Sequence, residues 1–103
     1  MKSKLLVTIP MTALLAATTA HAASPVKDEI IARCKSTMSQ YGAAMVKACV
    51  DQDIEAYNAL SDYPSEYQEI ISRCNGSMRE YGFAMVKACA DQDIEAAKAL
   101  ENY

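Results

Sequence analysis

Apolar side chains recur every three or four residues along most of this chain. Ile30, Ile31, Cys34, Met38 and Tyr41 follow that spacing, as do Met45, Val46, Cys49, Val50, Ile54, Tyr57 and Leu60. Recurrence at that interval lines one face of an α-helix, whereas a half-buried strand needs alternation at every second position, and no stretch here alternates for long. Ala, Met, Glu, Lys, Gln and Leu, all good helix formers, dominate. The pattern predicts an all-α protein.

The pattern then repeats. Residues 29–60 read EIIARCKSTMSQYGAAMVKACVDQDIEAYNAL and residues 69–100 read EIISRCNGSMREYGFAMVKACADQDIEAAKAL, identical at 22 of 32 positions. A duplication of this length implies two supersecondary units, about 27–63 and 65–103, each burying its apolar face against its neighbour. Ser61-Asp62-Tyr63-Pro64-Ser65 joins them. Pro64 is expected to stop one helix and Ser65 to cap the next.

Each unit could hold one long helix or two short ones. The apolar phase runs almost unbroken through Tyr41-Gly42-Ala43, which favours one helix. Gly42 and Gly82 would then sit mid-helix at about 1 kcal/mol each, and Asn75-Gly76 would weaken the second copy further. Helices of about 35 residues are also rare in a chain this small. The cysteines sharpen the choice. Cys34 and Cys49, 15 residues apart, would lie about 22 Å from each other in one helix and could not bond. If the chain reverses at Gly42 they meet across a hairpin, and Cys74 meets Cys89 across Gly82 in the same way. The alternative is one long two-helix hairpin with cross-copy bonds, Cys34–Cys89 and Cys49–Cys74. That arrangement resembles in outline the twin-CX9C helical hairpins of mitochondrial proteins, although the spacing here is CX14C. The reading adopted is two tandem disulfide-stapled hairpins, four short helices in all. Each bond, closing a loop of about 15 residues, should stabilise the fold by about 3 kcal/mol through the unfolded chain.

The first 22 residues differ from the rest. Met-Lys-Ser-Lys precedes an apolar stretch from Leu5 to Ala17, and Ala20-His21-Ala22 follows. This order is that of a cleavable secretory signal, with residues 23–103 as the mature helical domain. A stretch of about 13 residues, interrupted by Thr8, Pro10 and Thr12, is too short to span a bilayer that needs roughly 20. The first cysteine, Cys34, lies well past the cleavage point, so no lipid or membrane anchor is expected. Four cysteines in an exported chain of this size imply two disulfides in an oxidising compartment. The expected location is the periplasm, with release from the cell as the alternative.

Charge and histidine content exclude several functions. Without the signal, eight basic residues stand against thirteen acidic ones. Such a surface does not displace counterions from phosphates, so no nucleic acid is expected as a partner. The single histidine, His21, leaves with the signal. Histidine-based acid–base catalysis, Ser/His and Cys/His nucleophiles and histidine metal ligands leave with it.

The remaining candidates each have a plain structural reading. Asp51-Gln52-Asp53-x-Glu55 and its copy Asp91-Gln92-Asp93-x-Glu95 suggest oxygen ligands, but on a helix the two aspartates point about 200° apart. A solvated helix face is the expectation. Met38 and Met45, with Met78 and Met85, lie near the cysteines and would suit Cu(I). Their spacing with Tyr41 is also that of a buried face, so core is expected. Lys47 and Lys87, inside the repeated AMVKAC, are expected at the surface. Arg33 and Arg73 follow Glu29 and Glu69 by four residues, which suggests helix-surface ion pairs worth a few tenths of a kcal/mol. Asn75-Gly76-Ser77 matches a glycosylation acceptor that matters only in a eukaryotic secretory route.

These residues point to a small exported, non-enzymatic helical-repeat protein, an interaction or scaffold module for a protein partner that the sequence does not name. No catalytic, cofactor-binding or metal residue is assigned. The site residues are the disulfide cysteines Cys34, Cys49, Cys74 and Cys89. A periplasmic soft-metal (copper) or thiol-redox protein using its Cys and Met is the alternative. The oligomeric state is not legible in the sequence.

Overall fold

The computed structural model describes residues 25–103; the signal-like residues 1–22 lie outside them. Four α-helices follow in order: α1 Pro25–Met38, α2 Ala43–Ser61, α3 Gln68–Met78 and α4 Phe83–Leu100. Among the described residues there is no strand. α1 packs on α2 and α3 on α4, so each half of the chain is an antiparallel hairpin, and α2 packs on α4 to join the two.

The reversals fall at the glycines. Each first helix tightens into a 3₁₀ turn, Ser39–Tyr41 or Arg79–Tyr81, closed by Gly42 N–H donating to the Ser39 carbonyl at 3.0 Å and by Gly82 N–H donating to Arg79 at 2.9 Å. Gly42 then takes φ +103°, ψ 163° and Gly82 φ +107°, ψ 160°. That region is nearly closed to any residue with a Cβ. The next helix begins at once, with Met45 and Val46, or Met85 and Val86, donating back to the glycine carbonyl.

The hairpins are stapled as the cysteine spacing predicts. Cys34 bonds Cys49 and Cys74 bonds Cys89, each pair with Cα atoms 5.7 Å apart. The long two-helix alternative is thereby excluded. The fold is all-α, with both bonds local to one hairpin.

The joint differs from its expectation. α2 runs to Ser61 and Pro64 follows the turn, but Ser65 makes no side-chain cap. Residues Ser65–Tyr67 instead form a 3₁₀ turn closed by Tyr67 N–H on the Pro64 carbonyl at 3.0 Å, and α3 starts only at Gln68. A backbone bond has satisfied the donor that a serine cap would have served.

One core runs through both hairpins. Ile30 and Cys34 of α1, Ala56 and Leu60 of α2, Cys74 of α3, and Phe83, Val86 and Ala90 of α4 are buried together. Met78 packs against this cluster. Met45 and Met85 do not: they are 47% and 46% exposed, and Tyr41 is 63% exposed. The expectation that Met38, Tyr41 and Met45 line one buried face fails because the 3₁₀ turn and Gly42 intervene. Helical spacing counted across a chain reversal no longer describes one face. No helix among the described residues is long and apolar enough to cross a membrane.

Candidate functional site

The two hairpins are locked together at one buried carboxylate. Asp53, on α2 one turn beyond Cys49, is only 3% exposed. Its Oδ2 accepts hydrogen bonds from Arg33 Nη2 and from the backbone N–H of Phe83, both at 3.0 Å, and its Oδ1 accepts from Ala84 N–H at 3.1 Å. Phe83 and Ala84 are the first two residues of α4, whose own cap position is Gly82 with no side chain to offer. The free N–H groups and positive end of a helix attract an anion, and here the other hairpin supplies it. Asp53 is thus an N-cap delivered across an interface. Its charge is balanced by Arg33, whose Nη2 also lies 3.5 Å from Cys34 Sγ and 3.4 Å from Cys49 Sγ.

Other side chains close the junction around this cap. Arg79 grips Glu29 with two bonds, Nε to Oε2 at 2.8 Å and Nη2 to Oε1 at 2.6 Å, and its guanidinium carbon stands 5.1 Å from the centre of the Phe83 ring. Tyr57 meets that ring edge-on at 5.0 Å. Gly82 is required here for a second reason: a Cβ on it would lie 2.6 Å from Arg33 Nη2 and 2.9 Å from Asp53 Oδ2. The space enclosed among these groups is about 10 Å³, which admits nothing larger than a water molecule. This is a joint between helices rather than a ligand pocket.

A second polar contact ties the linker down. The Tyr63 hydroxyl donates to Asp91 Oδ1, and Lys87 Nζ donates to Asp91 Oδ2 at 2.9 Å. Burial pushes the Tyr63 hydroxyl above its ordinary range, and the adjacent carboxylate adds to this. For Asp91, burial works upward, but the Tyr63 and Lys87 donors outweigh it and hold the carboxyl below its ordinary value. Glu29 is likewise held low, chiefly by the Arg79 hydrogen bonds.

The same residues recur, open, in the second hairpin. Arg73 Nη2 lies 2.7 Å from Asp93 Oδ2, but these side chains are 61% and 45% exposed. No further helix end reaches Asp93 among the described residues. In the first hairpin the N-terminus of α2, at Gly42-Ala43-Ala44, has no side-chain cap, and a Cβ on Gly42 would meet nothing within 4 Å.

Several site expectations are therefore corrected. Asp53 is not on a solvated face, although Asp51, Glu55 and Glu95 are exposed as expected. Arg33 and Arg73 do not pair with the glutamates four residues earlier. They reach the aspartates twenty residues later, across each hairpin, because the disulfide draws α1 to α2 and α3 to α4 at that level. Lys47 is exposed and pairs with Asp51 at 2.7 Å. Sequence reasoning missed the junction residues Tyr57, Arg79 and Phe83. Their signal was available in the duplication, since each replaces or is replaced by a small residue in the other copy: Ala97, Ser39 and Ala43.

Fold and site together define a pair of disulfide-stapled helical hairpins joined by a charged helix cap. Compared with known proteins, the chain matches no family model, no curated protein and no solved structure.

Proposed function

We propose that this is an exported, non-enzymatic interaction protein whose hairpin tips bind a protein partner. The observation that carries the reading is what each tip leaves in water. Tyr41 and Met45 in the first hairpin are 63% and 47% exposed, and Tyr81 and Met85 in the second are 57% and 46% exposed. Tyrosine and methionine are enriched at protein interfaces, where one supplies a rigid amphipathic ring and the other an adaptable apolar chain. Met45 and Met85 stand one turn before the disulfide cysteines Cys49 and Cys89, and Tyr41 and Tyr81 end the 3₁₀ turns just across the chain reversal. A cross-link so near holds the tip in place before binding, which lowers the ordering cost. Two exposed Tyr–Met pairs on one body would also let a repeated or dimeric partner bind with avidity.

The charged side chains support the same reading. Arg33, Arg73 and Arg79 each pair with an acidic side chain on another helix, and Lys47 and Lys87 pair four residues on within their own. Export to the periplasm, with release as the alternative, is supported by the signal-like residues 1–22 and fits two disulfides.

The test uses two double variants, Tyr41→Ser with Met45→Ser and Tyr81→Ser with Met85→Ser, and their combination. Each is purified oxidised and shown helical, then used with a photo-crosslinker at position 48 or 88 in a native periplasmic extract. The wild type should capture one discrete protein, either double variant should capture less, and the combined variant none. Capture of the same protein by the combined variant would sink the reading.

A second reading, copper binding, is favoured by one observation: Met45 and Met85 are accessible. The cysteines are in disulfides, so thioethers would have to bind without thiolate help. Stoichiometric Cu(I) uptake with a thermal shift, abolished by Met45→Ser and Met85→Ser, would promote this reading over the first.

A further inference from the structure

Three of the ten differences between the two copies fall on the junction, and each has the same sense. The first hairpin contributes Glu29, Arg33, Asp53 and Tyr57 to the contact, and the second contributes Arg79, Gly82, Phe83 and Ala84. At the 40-residue offset, the outward face of the second hairpin carries Glu69, Arg73, Asp93 and Ala97. The outward face of the first carries Ser39, Gly42, Ala43 and Ala44. The polar half of the contact is thus kept on both outward faces: a paired arginine and aspartate on one, uncapped helix N–H groups behind a left-handed glycine on the other. The aromatic pair and the Arg–Glu grip are missing from both.

This matters because the contact is heterologous. A unit whose one face fits the opposite face of a like unit builds an open chain, unless the terminal faces are made unfit. A buried charge pair roughly breaks even against its desolvation, so Arg73 and Asp93 alone cannot drive docking. Apolar burial has to supply the affinity, and an aromatic side chain buries about 150–250 Å². Ala43 and Ala97 remove that burial at the outward faces, and Ser39 removes the partner that Glu69 would grip.

We infer that this junction is an assembly surface fitted to a hairpin carrying Arg79, Gly82 and Phe83, and that Ser39, Ala43 and Ala97 are the positions that keep a second copy of the chain off Arg73 and Asp93. The divergence between the copies ends the array at two hairpins. This goes beyond the tip reading and does not depend on it.

Each substitution that tests the inference installs the residue that the other copy holds on the same backbone. S39R/A43F gives the chain a docking helix end, and A97Y gives it a complete socket. Analytical ultracentrifugation of the oxidised exported chain should show the wild type and A97Y as monomers. Mixing A97Y with S39R/A43F should give a one-to-one complex, because each chain has one completed face. A43F alone, a second donor should the double variant fold poorly, should give a weaker complex of the same stoichiometry. Adding Asp93→Ala to A97Y should weaken the complex about tenfold or more, through two lost charge-assisted hydrogen bonds. All three substitutions in one chain should give a concentration-dependent ladder of species. Helical, oxidised donor and socket proteins that do not associate would overturn the inference. So would a wild type that already self-associates and is dispersed by Asp93→Ala.

Discussion

Asp53 and Asp93 occupy the same position in two nearly identical sequences, each with an arginine twenty residues before it, yet they live in different chemistry. Asp53 is buried, accepts three hydrogen bonds and caps a helix of the other hairpin. Asp93 is half in water and, among the described residues, binds only its arginine. The motif supplies a local ion pair in both places, and what packs on top decides whether that pair holds the fold together. Exposed pairs are worth about 0–1 kcal/mol, whereas stripping one partner from a buried network leaves its other members unpaired.

The largest expected effect follows directly. Asp53→Ala removes a cap from two N–H groups and leaves Arg33, 24% exposed, facing a disulfide with no counter-charge. The cost should be about 3–4 kcal/mol, near the low end for breaking a buried pair because Arg33 retains some solvent. Asp93→Ala should cost under about 1 kcal/mol. Urea unfolding of both variants checks this, and equal losses would show that the two environments are not energetically distinct.

Phe83→Ala sharpens the contrast on the apolar side. It empties a buried site bounded by Tyr57 and Arg79 and should cost about 3 kcal/mol. Ala43→Phe, at the exposed matching position, should change monomer stability by no more than about 0.5 kcal/mol. A small loss for Phe83→Ala would mean that the aromatic contact contributes little and the cap alone holds the hairpins.

The glycines divide the comparison further. Gly42 and Gly82 share a backbone conformation costing about 1–3 kcal/mol for any other residue, so both Gly→Ala variants should be destabilised. Gly82→Ala alone also drives a Cβ into Arg33 and Asp53. It should lose about 1–2 kcal/mol more than Gly42→Ala, and thermal melts of the pair measure that difference. Identical losses would place the whole requirement in φ and none in the close approach.

How much of this was legible in the sequence depends on whether a feature is local. The all-helical class, the reversals at Gly42 and Gly82 and the disulfides that follow from them are set by spacing within about fifteen residues. The fate of Asp53 is not. Nothing within a turn of it differs from the surroundings of Asp93 except Val50 against Ala90 and, four residues on, Tyr57 against Ala97. Its burial comes from Phe83, thirty residues away. Reading Arg33 as the partner of Glu29 failed for the same reason, since an i,i+4 rule describes an isolated helix and not one with a second helix stapled beside it. The duplication held the missing information, because positions where copies diverge from Ala or Ser to Tyr, Phe or Arg mark where the two environments differ.

The smallest effect concerns acid. Glu29 has its carboxyl held below its ordinary value of about 4.5, chiefly by hydrogen bonds from Arg79. A carboxyl depressed in the folded state stabilises the protein fully above its unfolded value, and that contribution is lost as the pH falls through the folded one. Wild type should therefore exceed Glu29→Gln in stability by a constant margin from neutral pH down to about 5, and the margin should shrink below about 4.5. Both partners are about two-fifths exposed, with side-chain values of 42% for Arg79 and 41% for Glu29, so the margin should be only a few tenths of a kcal/mol. Asp91 is also held low and loses its own contribution in the same acid range. It does so in both proteins, so the difference between them isolates Glu29. Glu69→Gln is the matched control, because Glu69 lies exposed on the outward face of the second hairpin, where no arginine reaches it among the described residues. Urea midpoints across the acid range, taken for all three proteins, decide the matter. A margin that persists unchanged well below the ordinary carboxylate range, or one that Glu69→Gln reproduces, would show that the Arg79 grip adds nothing to the joint beyond what any exposed glutamate provides.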